Sequence, residues 1–468
     1  MRTIKEENMF DLIVLGGGPA GYHAAIRAAQ LGGKVCLVED RDRLGGVCLN
    51  MGCIPTKALI KSIEVLKAVN TAREFGIEVD HIKINFPSMM QRKERLVQNI
   101  TQGLSDLFNI YKIEKVQGLG TITGPNQIEA GGETINGKNI LIATGSGSLF
   151  IPPFIFDGDK VISTTEALQL KTLPKRMVIA GGGYNGCEFA HIFHALGCEV
   201  SIVEMMDTLL PGEDKNIAGQ MALEFRKAGV GMHLGEKIED VHLEGDTVQC
   251  GLSNGVKIAG EKLLVCIGRK PNIEGIGLGK IGVNVESGKI ATDKKMRTNV
   301  PSIYSAGDVV DSPMLAHVAF REGIVAAENA LGLDSQIDYR VIPHCIFTDP
   351  EFASVGLTEE EARAEYGDAI ITGRFPFMGN GKALCEGEFQ GFIKIIAKSS
   401  NEEVLGIHIL GAHASELISE GSMAIHSRAT LGDISRLIHP HPTLSETMME
   451  ASSDGRYEAI HLPPKLKA

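Results

Sequence analysis

Apolar and polar positions alternate with different periods along the chain. From Asp11 to Glu39 an apolar run (DLIVLG), a glycine turn, a helix-period segment (YHAAIRAAQLGG) and a second apolar run (KVCLVE) follow one another. Continuous apolar runs flanking a helix are the signature of parallel strands buried on both faces. The same unit returns as RMVIA followed by GGGYNGCEFAHIFHALGCEVSIVE. Gly16, Gly18, Gly21, Leu31, Gly32, Val35, Val38 and Glu39 recur as Gly181, Gly183, Gly186, Leu196, Gly197, Val200, Val203 and Glu204. A repeat in such detail implies two copies of one supersecondary unit.

Between the copies, Ile63 to Phe108 reads as helix-rich with long polar faces, and short strands around Val116 to Ile128 lead to a Gly131-Gly132 turn. NILIATG, ending at Gly145, reads as a buried strand running into a glycine turn, and Pro152 and Pro153 mark the exit from the first unit. The second unit extends to about Pro271 through LLVCIGRKPN, which contains Gly268; TNVPSIYSAGD is a further short strand ending in Gly-Asp. From about Ile342 the glycine fingerprints stop. FASVGL, AIITGRFPF, FIKIIAK and VLGIHILG have the pattern of an antiparallel sheet, with Ser399 to Glu403 as a hairpin loop and helices from Ala414 onward. The expected fold is α/β: two Rossmann-like dinucleotide-binding domains and a C-terminal α+β domain. The expected limits are 1–150, 151–272, a return to the first domain over 273–341, and 342–468.

Length and composition agree with that division. A chain of 468 residues is too long for one core, and 43% apolar residues with 55 glycines suit turn-rich α/β structure. A net charge of -12 without a Lys/Arg block argues against nucleic acid as a partner. No apolar run approaches a membrane span. The charged opening MRTIKEENMF shows neither signal nor transit peptide, so the expected location is the cytoplasm.

Within each repeated unit the chemistry follows from the residue types. Missing side chains at Gly16, Gly18 and Gly21, and at Gly181, Gly183 and Gly186, let backbone N–H groups and a helix N-terminus approach a pyrophosphate. Glu39 and Glu204, each 23 residues after the first glycine, are placed to accept hydrogen bonds from a ribose. After the first unit comes LGGVCLNMGCIPTKAL, in which Cys48 and Cys53 are separated by four residues. A short disulfide at a helix N-terminus has one thiol favoured as thiolate by the helix dipole and by a cation such as Lys57. In a reducing compartment such a pair is more readily catalytic than structural. Two unrelated buried thiols are the bland alternative; their place beside a nucleotide fingerprint favours redox chemistry. Asp308 could meet a ligand at a strand end or cap the next helix. His441 and Glu446 could be a base and its orienting carboxylate, or an exposed loop histidine ahead of a Thr443–Glu446 capping box. From the residues alone the capping box is preferred. No metal-ligand set is read from the sequence.

Taken in order, GGGPAG, GGVCLNMGCIPTKAL, GGGYNGCE with a following VE, TNVPSIYSAGD, PMLAH and HPHPTLSE resemble the pyridine nucleotide-disulfide oxidoreductase family over essentially the whole chain. Within it the resemblance is to the branch that oxidises dihydrolipoamide. That resemblance implies FAD at the first fingerprint, NAD at the second, and a homodimer formed through the C-terminal domain. It implies that Cys48 exchanges with substrate, that Cys53 faces the flavin, and that Lys57 and Glu188 pair beside it. Asp308 is expected to bind the ribityl chain, Met314, Ala316 and His317 to lie near the flavin, and Gly145 and Gly268 to belong to the cofactor sites. His441 becomes the base and Glu446 its partner, which reverses the preference for the capping box. Tyr184 stands where a side chain can cover the nicotinamide pocket, and Asn185 replaces a more usual aliphatic residue. The implied activity is oxidation of protein-bound dihydrolipoamide to lipoamide with NAD as acceptor. The lipoyl group is expected from another protein, of a 2-oxoacid dehydrogenase complex or a glycine cleavage system. Two rivals stand: a glutathione reductase-like enzyme, disfavoured by Glu204 followed by Met205 and Met206 where a 2′-phosphate needs cations, and a flavoprotein serving mainly to dock into a complex.

Overall fold

The computed structural model describes residues 9–464. Met1 to Asn8 and residues 465–468 lie outside the described residues, and with them the charged opening and the outer limits expected for the first and last domains. β1 (Phe10–Leu15) and β2 (Val35–Glu39) pair in parallel, Leu12 opposite Val35 and Leu15 opposite Val38, with α1 (Pro19–Gln30) crossing between them. Their apolar runs are continuous because both faces are covered: Leu12, Ile13 and Val14 are fully buried. β2 pairs with Glu114–Gln117 on its outer side, and β1 with the long strand Glu133–Ile142 on its inner side. That long strand also receives Ile303–Ser305 in parallel, so the chain leaves the first sheet and returns to it some 160 residues later, as 303 follows 142.

The excursion contains the second parallel sheet, in the order Gly231–Leu234, Glu199–Glu204, Arg176–Ala180, Lys262–Val265 and Val161–Ile162. A three-stranded antiparallel ribbon, Ile238–Glu244, Thr247–Leu252 and Lys257–Gly260, is inserted before its fourth strand in that order. The last sheet is antiparallel throughout and adds His344–Ile346 as an edge strand to the segments Phe352–Gly356, Val404–Leu410, Phe392–Lys398 and Ile370–Pro376. Helices Ala414–His426, Leu431–Arg436 and Glu446–Gly455 accompany it. Among the described residues no helix is long and apolar enough to cross a membrane.

Two helices follow directly after the first unit, α2 (Gly46–Met51) and α3 (Cys53–Thr71), and α4 (Phe86–Ile110) comes beyond a 3-10 turn. The returning helix Ala316–Ala330 lies so close to α1 that a Cβ on Gly323 would stand 2.1 Å from the Ala20 carbonyl oxygen. Gly103, in the exposed interior of α4, has nothing within 4 Å of a built Cβ. Gly323→Ala should therefore destabilise the protein by about 1–3 kcal/mol through overpacking. Gly103→Ala, with its better helix propensity, should be neutral or stabilising by up to about 1 kcal/mol. Thermal melts of both variants check the contrast, and equal shifts would mean that the two helices do not meet as described.

Candidate active site

A cleft of about 490 Å³ runs from the first glycine turn to the cysteine pair. Gly16, Gly18, Glu39, Cys48, Cys53, Lys57, Gly145, Glu188, Asp308, Met314 and Ala316 all line it. At its distal end Gly16 has a φ of +104°, and a Cβ there would lie 2.3 Å from the Ala143 carbonyl oxygen. The Gly17 N–H donates to Glu39 Oε2 at 2.7 Å and the Arg41 N–H to Oε1 at 3.1 Å. Burial pushes the Glu39 carboxyl up to about 7, with neighbouring Asp40 adding to the effect. Hydroxyl donors at this carboxylate would favour its charged form.

The redox segment is pressed onto that turn. Gly45 and Gly46 both take positive φ, the Gly45 N–H donates to the Gly17 carbonyl at 2.8 Å, and a Cβ on Gly46 would lie 2.6 Å from Gly18 Cα. Consequently α2 brings Cys48, and the start of α3 brings Cys53, to the cleft floor. The two thiols are unbridged. The Cys48 thiol donates to Cys53, and this bond, with the Lys57 cation, lowers Cys53 to about 7 against the opposing effect of burial. Cys53 is also the first residue of α3, where the helix dipole favours an anion. The same hydrogen bond and burial push Cys48 well above the ordinary thiol range. Of the two sulfurs, Cys53 is the one whose thiolate the site favours.

Lys57 Nζ reaches both oxygens of Glu188, at 2.8 and 3.0 Å, and stands 4.3 Å from the Phe347 ring centroid. Glu188 belongs to helix Tyr184–Ala195 of the second unit and also accepts the Phe347 N–H at 3.1 Å. Asp308 caps no helix, since the next one begins at Ala316 with Leu315 as its N-cap. Its carboxylate instead accepts the Ser146 hydroxyl and lies 3.7 Å from Arg269 Nε. Arg269 donates to Ser146 Oγ at 2.6 Å and to its carbonyl at 2.7 Å. Arg269 and Ser146 line the cleft and escaped the sequence reading, although the GRKP following Gly268 offered a signal. Gly268, at φ +136°, and His317, exposed on its helix, are not among the lining residues.

The second fingerprint repeats the first bond for bond. Gly181 has a φ of +104° and its Cβ would stand 2.5 Å from the Cys266 carbonyl oxygen; on Gly186 a Cβ would stand 2.0 Å from the Gly181 oxygen. On Gly21 it would stand 1.8 Å from the Gly16 oxygen. Glu204 accepts the Gly182 N–H at 2.6 Å and the Met206 N–H at 2.8 Å, while Gly183 borders open space. Both turns thus leave backbone donors open to a pyrophosphate beside a carboxylate suited to ribose, and the donor sets fit FAD at the first and NAD at the second. Tyr184 donates to Glu213, which also accepts His344 Nδ1 at 2.7 Å and Ser354 Oγ at 2.7 Å. Asn185 lines the first cleft.

His441 and Glu446 lie apart from all this. No residue beyond Ala319 lines the cleft, and the His441 side chain is 80% exposed. His441 Nδ1 meets Glu446 Oε1 at 2.9 Å, and Glu446 Oε2 accepts the Thr443 N–H at 2.9 Å, so this carboxylate holds the histidine and the turn together. His439, which has no carboxylate at a spacing like that of His441 and Glu446, meets one from elsewhere: Glu420, 19 residues earlier in the chain, lies 2.9 Å from its Nε2.

Comparison with known proteins places this arrangement. The model of the pyridine nucleotide-disulphide oxidoreductases matches residues 10–323, and that of their dimerisation domain residues 342–452. The dihydrolipoyl dehydrogenase of Chlamydia muridarum is 41% identical over 464 residues, 98% of this chain and 99% of that one. That of Bacillus subtilis is 40% identical over 475 aligned positions, covering 97% and 99%. Among solved structures, LpdA from Mycobacterium tuberculosis superposes with a TM-score of 0.88 at 28% identity, covering 94% of this chain and 98% of that one. With both parts of the chain matched, and a dithiol beside the first of two dinucleotide turns, this protein belongs to the pyridine nucleotide-disulphide oxidoreductase family.

Proposed function

We propose that the chain is an FAD-containing, NAD-dependent dihydrolipoyl dehydrogenase, oxidising protein-bound dihydrolipoamide to lipoamide. The observation that carries this reading is the cysteine pair itself, with one thiol lowered and one raised, at the floor of the cleft that begins at the first dinucleotide turn. In this reading 1–150 and 273–341 hold FAD, 151–272 hold NAD, and 342–468 join two subunits. The lipoyl-bearing partner belongs to a 2-oxoacid dehydrogenase complex or a glycine cleavage system. The two rivals lose ground for specific reasons. Glu204 is followed by exposed Met205 and Met206, which offer no cation to a 2′-phosphate. A docking subunit would need no dithiol of divided acidity.

The chain's own chemistry is thiol–disulfide exchange. With Cys48 and Cys53 joined as a disulfide, His441 takes a proton from one substrate thiol, and the thiolate attacks Cys48 Sγ. The Cys48–Cys53 bond breaks and Cys53 leaves as a thiolate, favoured by the helix N-terminus and Lys57. The second substrate thiol, giving up its proton, then attacks its neighbour's sulfur, closing the lipoamide ring and releasing Cys48, which ends as the thiol that hydrogen-bonds Cys53. Two electrons have reached the dithiol and two protons have left the substrate, one to His441 and one to Cys48. FAD, when bound, supplies the two-electron acceptor that reoxidises the dithiol, and NAD the final hydride acceptor. Glu446 keeps His441 Nδ1 occupied, so that Nε2 is the nitrogen free for substrate.

Lys57→Met should raise the Cys53 titration from about 7 towards the ordinary 9.0, because a cation is lost and buried Glu188 is left to repel the thiolate. The Cys48 hydrogen bond, the larger cause, remains, so the shift is partial, and just above pH 7 the variant should hold less thiolate than the parent. Alkylation of Cys53 by iodoacetamide in the reduced protein, followed by peptide mass against pH, measures this; an unmoved midpoint removes Lys57 from the role.

Replacing Glu204 with Val and Met205 with Arg should shift preference from NAD towards NADP, since the carboxylate opposes the extra phosphate. The ratio of kcat/KM values for the two nucleotides is the measurement, and no change in it would mean that the second turn has been misassigned.

An exposed His441 outside its own chain's cleft suits a base that serves the cysteine pair of a second subunit. Cys48→Ser and His441→Gln should each abolish most lipoamide turnover, the latter by about 100-fold or more. Unfolded and refolded together, they should recover about a quarter of parent activity, because half the dimers are mixed and each of those holds one site with neither lesion. A mixture no more active than its components, with subunit exchange verified by mass, would place the whole site in one chain.

A further inference from the structure

The loop that carries His441 joins helix Leu431–Arg436 to helix Glu446–Gly455. On its first half, Ile438 is 93% exposed and Leu437 is 55% exposed, so neither anchors it. Between them and His441 stands His439, whose side chain is 4% exposed. It turns back into the domain, with Nε2 at 2.9 Å from Glu420 Oε1 on helix Ala414–His426 and Nδ1 at 3.1 Å from the Leu437 carbonyl oxygen. A carbonyl and an ionised carboxylate accept hydrogen bonds, so these two contacts favour the charged imidazolium form, and the bond to Glu420 raises the His439 pKa above its ordinary value. The second half of the loop is held differently, by Asn380 Nδ2 donating to the Thr443 carbonyl at 2.9 Å and by the Glu446 contact to the Thr443 N–H. His439 is thus the side-chain pin on the N-terminal side of the base.

We infer that the His439–Glu420 ion pair is a positioning device for His441, fixing the exposed loop so that the imidazole is delivered at one angle and adding a fixed positive charge next to Glu446. The inference deepens the reading of His441 as the base and rests on it. Two consequences follow from the geometry. Loss of the pin frees the loop between Arg436 and Pro440, and misplacement of a reacting group on the ångström scale costs rate steeply. Loss of the charge removes a cation beside Glu446, the carboxylate that holds His441. The groups that face His439 are Glu420 from its helix, the Leu437 carbonyl from its own loop, and Glu446 from the final helix, with Glu420 the directly bonded one. Glu446 in turn feels both His441 and His439.

The test uses the full-length, FAD-loaded protein and its variants His439→Gln, Glu420→Gln and His441→Gln. Dihydrolipoamide turnover against pH is compared with NADH oxidation by an artificial electron acceptor, which needs no base at the thiols. Dimer mass is recorded for each. The expected result is a fall of roughly 10- to 100-fold in lipoamide turnover for His439→Gln and Glu420→Gln. NADH oxidation should be retained, and the acid limb of the His439→Gln profile should lie at higher pH than the parent's. Glu420→Gln keeps the shape of the residue it replaces and so reports on the pin even where His439→Gln folds poorly. Lipoamide turnover and acid limb unchanged in both, with His441→Gln inactive, overturn the inference and leave the base intact. Parallel loss of both activities in both variants also overturns it, since that is the mark of a merely structural pair. A His441→Gln protein with parental turnover would instead sink the reading of the base itself.

Discussion

The contact on which the other parts depend is the Lys57–Glu188 ion pair. Lys57 is one turn into the helix that Cys53 begins, Glu188 is on the first helix of the second dinucleotide unit, and the same carboxylate receives the Phe347 N–H from the third unit. Three parts of the chain distant in sequence thus converge on one buried carboxylate, near Cys53. As a source of stability such a pair is weak, because desolvation takes back most of the Coulomb gain. Its asymmetry matters more: removing Lys57 would leave Glu188 buried without its cation, at a cost on the order of a few kcal/mol. What the pair contributes is registry, in that the nicotinamide unit cannot shift against the cysteine helix without exposing this cost, and it holds a positive charge where Cys53 needs one.

How much of this was legible in the sequence differs by the physical origin of each feature. The two dinucleotide units could be read because close backbone approach admits no Cβ: distances of 1.8 Å from Gly21 to the Gly16 oxygen and 2.0 Å from Gly186 to the Gly181 oxygen leave glycine as the one residue that fits. Such a constraint writes itself into the chain at a fixed spacing. The antiparallel C-terminal sheet could be read from its alternating runs, and the thiol pair from its place after the first turn. His344–Ile346 was too short to carry a period, and the ribbon from Ile238 to Gly260 has one face largely open, with Glu239 and Asp240 exposed, which weakened its apolar signal.

The features that escaped are partnerships between residues distant in sequence. Arg269 meets Asp308 and Ser146 through three different segments of the chain, and Glu213 meets Tyr184, His344 and Ser354 through four. No local spacing encodes such contacts. His439 shows the limit most plainly. A search for a carboxylate at the spacing of His441 and Glu446 passes over it, whereas the fold brings Glu420 to its ring from a neighbouring helix. The neighbouring His441–Glu446 pair was readable for the opposite reason, being five residues apart across a single turn.

Charge explains why the chemistry is divided as it is. A dithiol with one resident thiolate needs cations close by, which the helix N-terminus and Lys57 provide, and those cations would oppose protonation of a histidine placed among them. A base meant to take a proton from a substrate thiol works better away from that field, beside a carboxylate. In one chain the two belong to different parts of the fold: none of the described residues beyond Ala319 lines the cleft, and His441 is exposed, paired with Glu446, within the stretch matched by the family's dimerisation domain. In the proposed reading a subunit interface brings them together, so that each keeps its own electrostatics until substrate joins them. Of the two protons that substrate gives up, the one taken by His441 then never enters the field around the dithiol.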